Sequence, residues 1–64
     1  MKLQDLLLVA EDNQEVTVMM GGGGISGSAD ALYTWLSKQA LDGVVEEMRA
    51  EDNVIKIWAE PGEE

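Results

Sequence analysis

Ser28-Ala29-Asp30-Ala31-Leu32-Tyr33-Thr34-Trp35-Leu36-Ser37-Lys38-Gln39-Ala40-Leu41 is the stretch on which the architecture turns. Leu32, Trp35, Leu36 and Ala40 recur at helical spacing and form one apolar stripe. Ser28 is placed to accept from a first-turn amide, and Asp30 sits near the positive end of the helix. Gly43 follows the last turn, where a left-handed residue closes a helix well. The pattern predicts one continuous helix over 29–41 whose stripe lies on a floor of strands, with Trp35 in the core and Tyr33 at its edge.

On the N-terminal side, Leu3, Leu6, Leu7 and Ala10 follow the same spacing and predict a short helix over Lys2–Ala10, although the run Leu7-Leu8-Val9 would also suit a buried strand. Glu11-Asp12-Asn13 ends it with turn formers. Gln14–Met20 alternates, with Val16, Val18 and Met20 on one face, as a half-buried strand does. Gly21–Gly24 then turns the chain. Centred on Gly22-Gly23, the turn would set Met20 opposite Ile25 and Val18 opposite Gly27, so that the apolar faces agree.

Beyond the long helix, Val44–Ala50 and Val54–Ala59 predict a second hairpin around Asp52-Asn53. This register sets Ala50 opposite Ile55 and Met48 opposite Ile57 on one face. Val45, Glu47, Arg49, Val54, Lys56 and Trp58 then share the other. Residues 61–64 read as a frayed acidic tail. The expected fold is α+β, a single domain over 1–64 in the order helix, hairpin, helix, hairpin, with a small antiparallel sheet covered on one face by the 29–41 helix.

Composition narrows the function. A chain of 64 residues carries 13 acidic and 4 basic side chains, a formal charge of -9. Such a balance disfavours direct binding to nucleic acid, whose affinity comes mostly from neutralised phosphates. It also disfavours an anionic membrane and favours either a basic partner or simple solubility, a solvated surface being the plainer reading. There is no cysteine or histidine, hence no thiolate, no disulfide and neither of the commonest zinc ligands. The longest apolar run, Leu6–Ala10, is too short to span a membrane, and residues 1–5 lack the apolar core of a signal peptide. A cytoplasmic protein is expected.

Two patterns invite chemistry. Gly22-x-Gly24-x-x-Gly27 matches a dinucleotide fingerprint, and Glu47 falls about twenty residues further on, as the ribose acid does. Four consecutive glycines generate that pattern easily, the chain is too short for a doubly wound sheet, and Ser28 stands where a phosphate loop needs lysine. A flexible hairpin turn accounts for it. From Asp42 onward eight acids face only Arg49 and Lys56. Paired-carboxylate catalysis needs an enclosed cleft, and Glu51-Asp52-Asn53 lacks the spaced ligands of a calcium loop. No cofactor and no metal is therefore expected. Glu46, Glu47, Glu51, Asp52 and Glu60 are read as an acidic partner-binding surface and Trp58 as its apolar anchor. Folding of Trp58 over the stems of Lys56 and Arg49 is the plainer alternative for that ring.

Met1-Lys2-Leu3-Gln4-Asp5-Leu6-Leu7 resembles the start of small acidic proteins encoded by phages and prophages of Gram-positive bacteria. Residues Glu46–Ile57 resemble the terminal hairpin of the same loose group. The resemblance implies a context in which small proteins bind and disable a host machine. Some anti-CRISPR proteins do so as DNA mimics, setting acidic surface where a nuclease expects DNA. It carries no functional residues with it. The expected activity is stoichiometric inhibition of a basic host protein such as a nucleic-acid-binding nuclease, without catalysis. The alternative is a homodimeric assembly protein that buries the Trp58 face. An enzyme built on the glycine turn would instead be stabilised by nucleotide. We expect millimolar ATP or NAD to leave the melting temperature unchanged in a thermal-shift titration, and a clear rise would restore the nucleotide-binding reading.

Overall fold

A computed structural model describes residues 1–62. Its elements are α1 (Leu3–Val9), β1 (Glu15–Met20), β2 (Gly23–Ser28), α2 (Ala29–Trp35), α3 (Lys38–Leu41), β3 (Val44–Glu51) and β4 (Val54–Glu60). The strands form one sheet in the order β2-β1-β4-β3. Both hairpins are antiparallel, but β1 and β4 run parallel down the centre. The molecule is a small α+β domain with a four-stranded mixed sheet and three short helices. This corrects the expected helix-hairpin-helix-hairpin arrangement with its antiparallel sheet. Sequence pattern sets the faces of each hairpin, whereas the direction in which two hairpins meet depends on the connection between them.

The continuous 29–41 helix is also corrected. Leu36 and Ser37 are extended, with ψ 147° and 161°, and they divide the stretch. Each half has its own serine cap. The Ala31 amide donates to Ser28 Oγ at 3.1 Å, and the Ala40 amide donates to Ser37 Oγ at 3.2 Å. The second cap satisfies one of the orphan amides that a break creates, which lowers the cost of the interruption. Leu32 is buried, Leu36 and Ala40 are half-buried, but Trp35 is 71% exposed. Ala29 completes the stripe instead, since Ala29, Leu32 and Leu36 lie at i, i+3 and i+7 and Trp35 falls to one side.

The core is a single layer between the helices and one sheet face. It contains Leu3, Leu6 and Leu7 from α1, Val16 and Val18 from β1, Ala29 and Leu32 from α2, and Ile57 and Ala59 from β4. Both hairpin turns have two central residues at positive φ: Gly21 and Gly22, then Asp52 and Asn53. That is the primed turn whose twist suits a two-residue hairpin. The first turn is therefore centred one residue earlier than expected, and Val18 pairs with Ile25 and Val16 with Gly27. The pairing shift is two residues, so the faces are unchanged. This register brings together the branched Val18–Ile25 pair and the Thr17 and Ser26 hydroxyls, 2.9 Å apart.

The second hairpin has the expected register at Ala50–Ile55 and Met48–Ile57. A bulge between Val45 and Glu47 then turns Val45 to the core side, opposite Ala59, and away from Trp58, where alternation had placed it. The N-terminal segment pairs with the same end of β3: the Leu3 amide donates to Gly43 O and the Val45 amide to Met1 O. Within the tail expected to fray, the Gly62 amide donates to Gln39 O at 2.9 Å, and Gln39 Nε2 donates back to Gly62 O. Glu63 and Glu64 of that tail lie outside the described residues.

Gly43 does not close a helix with positive φ. It is buried, and a Cβ there would lie 2.5 Å from Glu60 O and 2.9 Å from Ala40 O. The crossover enters β3 through a gap that admits only hydrogen. A Cβ at Gly27 would make ordinary contact with Leu32, 3.6 Å away. We expect Gly43→Ala to cost about 2 kcal/mol or more and Gly27→Ala to cost less than about 1 kcal/mol, measured by urea denaturation. Equal effects would contradict the close approach at Gly43.

Candidate functional site

The parallel pairing of β1 with β4 builds an acidic end on the sheet. Glu15 opens β1 and sits opposite Val54, which opens β4, and Glu51 at the end of β3 sits opposite the same Val54. Glu15 and Glu51 therefore flank Val54 on the open face of the sheet, two strand spacings or about 10 Å apart. The turn before β1 joins them. The Asp30 amide donates to Asp12 O at 3.1 Å, which sets the start of α2 against that turn. Gln14 Nε2 donates to Asn53 O at 2.6 Å, which ties it to the β3–β4 turn. Glu11, Asp12, Glu15, Asp30, Glu51 and Asp52 thus share one end of the molecule, and all are exposed. Lys56, 3.8 Å from Glu51, is the cation that meets this group among the described residues.

The residues singled out in the sequence do not form one site. Glu51 and Asp52 belong to this acidic end. Glu46, Glu47, Trp58 and Glu60 lie at the opposite end of β3 and β4, with Trp58 four residues or about 13 Å along the strand from Val54. There Glu46, Trp58 and Glu60 border an open groove together with Met19 and the Gly21–Gly24 turn. Glu47 pairs across to Trp58 and holds Arg49 Nε at 2.6 Å, while the Arg49 guanidinium lies 5.5 Å from the Trp58 ring centroid. Trp58 is half-buried. Its open-face position is as expected, with Arg49 packed over the ring. The arginine also offsets the charge of Glu47.

Glu11, Asp12, Glu15 and Asp30 are not among the partner-binding residues read in the sequence, where Glu11 and Asp12 stand as turn formers and Asp30 as a helix-start residue. They come from a turn, a strand start and a helix start, and no local pattern links them. Only the sheet order does. At the glycine fingerprint, Gly22 lies in the turn between antiparallel strands, and Gly24 and Gly27 lie inside β2. A dinucleotide site needs its glycine turn between a strand and a helix, and here that turn joins two strands.

No ionisable side chain is buried among the described residues, and no three carboxylates there converge as metal ligands. No described helix is long and apolar enough to cross a membrane. What the acidic end does offer is a concentrated negative field on a rigid sheet, aimed at solvent. No family model matches the chain, and neither a curated protein nor a solved structure matches it.

Carboxylates gathered in this way repel one another, and salt screens exposed charges. Raising sodium chloride from about 20 mM to about 500 mM should raise the melting temperature by roughly 5 °C. A flat or falling melting temperature in a calorimetric series would show that the end carries no net repulsion.

Proposed function

We propose that the protein is a non-enzymatic binding module that occupies a basic surface of another protein, in the manner of a nucleic-acid mimic. The observation that carries this reading is the acidic end itself. Among the described residues, six carboxylates from four separate parts of the chain are held at one end of the sheet beside a single lysine. A basic groove shaped for phosphates would meet a comparable density of negative charge there. The resemblance of residues 1–7 and 46–57 to small phage proteins suggests a host target, and a nuclease or another nucleic-acid-binding protein has the required groove. Binding would inhibit by occupying it.

The division of labour differs from the one read in the sequence. Glu51 and Asp52 act with Glu11, Asp12, Glu15 and Asp30 as the steering charge. Glu46, Glu47 and Glu60 border the opposite end, where Trp58 is the apolar element of a second and smaller contact. Exposed charge mainly raises the association rate and makes it salt-dependent, whereas buried contacts set residence time.

The immobilised protein should retain a nucleic-acid-binding protein from host extract at about 50 mM salt and lose it at about 500 mM. Duplex DNA should release the same protein by competition. The combined variant Glu11→Gln, Asp12→Asn, Glu51→Gln, Asp52→Asn should slow association with the purified partner by about tenfold at low salt. The proposal fails if no basic nucleic-acid-binding protein is retained at low salt, or if DNA does not compete.

A further inference from the structure

The sheet has two edges, and they are finished differently. The β3 edge is guarded in three ways. Its first residues are covered by backbone pairing with Met1–Leu3. A bulge interrupts it at Glu46. Glu47, Arg49 and Glu51 then line the remainder. Each is a known device against edge-to-edge pairing. The β2 edge, Gly23–Ser28, has none of them.

Its free hydrogen-bonding groups follow from the turn. A two-residue hairpin makes Met20 and Gly23 a hydrogen-bonded pair, and in antiparallel pairing such pairs recur at every second residue. Val18–Ile25 and Val16–Gly27 are then bonded inward, and Gly24 and Ser26 turn both N–H and C=O away from β1. Gly24 and Ser26 are exposed, and among the described residues no turn or loop backbone group pairs with them. Beside this edge α2 carries Asp30, Ala31, Thr34 and Trp35 on its outer side, all exposed, and they form one wall of a groove whose other wall is Ile25–Gly27.

Charge identifies the occupant. Asp30 is the only ionisable-charged residue between Val16 and Ser37 in a chain of net charge -9. Asp30 lines the groove only at its Ser28 end and the other acids lie elsewhere, so a basic segment laid along the edge would find no row of acids to pair with. An uncharged strand edge with an apolar shelf complements another of the same kind, and this chain supplies one. We propose that two copies of the chain pair antiparallel through β2 about a two-fold axis at Ile25, giving one continuous eight-stranded sheet. Gly24 of each copy exchanges two hydrogen bonds with Ser26 of the other, and the two Ile25 side chains meet on the helix-covered face, flanked by both Trp35 rings. The antiparallel arrangement sets the Ser28 end of one strand, near Glu15 and Asp30, beside the uncharged glycine turn of the other. Like charges are thereby kept apart. This dimer is independent of the acidic-end reading, and it differs from a dimer on the Trp58 face.

Sedimentation equilibrium and amide exchange by NMR test it together on the wild-type protein. From about 10 µM to about 500 µM the mass should approach twice that of the chain, and exchange at Gly24 and Ser26 should slow by at least about tenfold. Ser26→Pro removes an outward N–H without removing a bond to β1, and it should return the protein to a monomer, while Trp58→Glu should leave the dimer intact. A folding failure of Ser26→Pro leaves the wild-type exchange data to decide. A monomer at 500 µM, unprotected Gly24 and Ser26 amides in a dimer, or dissociation by Trp58→Glu with a persisting Ser26→Pro dimer would each overturn the proposal.

Discussion

The structure depends on the parallel alignment of β1 with β4. A parallel pair cannot be joined by a tight turn and needs a crossover. Here the path from β2 at one edge to β3 at the other, through α2 and α3, brings the second hairpin beside the first in that orientation. Val16, Val18 and Ile57 stand at the middle of the covered face because β1 and β4 are the central strands. The helices have only that face to bury against. The break at Leu36-Ser37 and the hydrogen-sized gap at Gly43 both belong to the crossover. A straight helix through residue 41 would pass over the sheet without turning toward the β3 edge.

The same alignment sorts the charge. It places the start of β1 next to the start of β4, so that acids separated by forty residues in the chain become neighbours. It also leaves β2 without charge at the far edge, and the outer side of α2 with Asp30 alone. A small domain with nine buried apolar residues among those described and an exposed Trp35 has limited stability to draw on from its core. Gathering like charge at one end adds a cost. The acidic end, held at that cost, is what supports the proposed partner, and the unguarded edge beside a large exposed aromatic ring is what supports the proposed strand pairing.

Local pattern made much of the fold legible. The Leu3, Leu6, Leu7 spacing marks α1 and its buried face, and alternation in Val16–Met20 and Val54–Ala59 marks two of the strands. Asp52-Asn53 locates its hairpin because both residues tolerate positive φ. The glycine run was less informative, since several registers of four glycines are sterically equivalent and cross-strand pairs such as Thr17–Ser26 select among them. Trp35 was misplaced because a stripe of Leu32, Trp35, Leu36 and Ala40 assumes an unbroken helix, and Ser37 can cap as readily as it can continue. Val45 was misplaced because alternation does not reveal a bulge.

By itself the sequence determined where α1 and the four strands lie, which face of each hairpin is apolar except at the Val45 bulge, and the strong negative charge, because these follow from residue type and spacing within ten or so positions. It did not show the break that divides 29–41 into α2 and α3. Tertiary structure alone decided that β1 and β4 run parallel and that Glu11, Asp12, Glu15 and Asp30 join Glu51 and Asp52 while Glu46, Glu47, Trp58 and Glu60 gather elsewhere. It also decided that one sheet edge is closed and the other open. The reason is physical: strand order and direction are set by how a crossover packs against distant residues, and no local spacing encodes that.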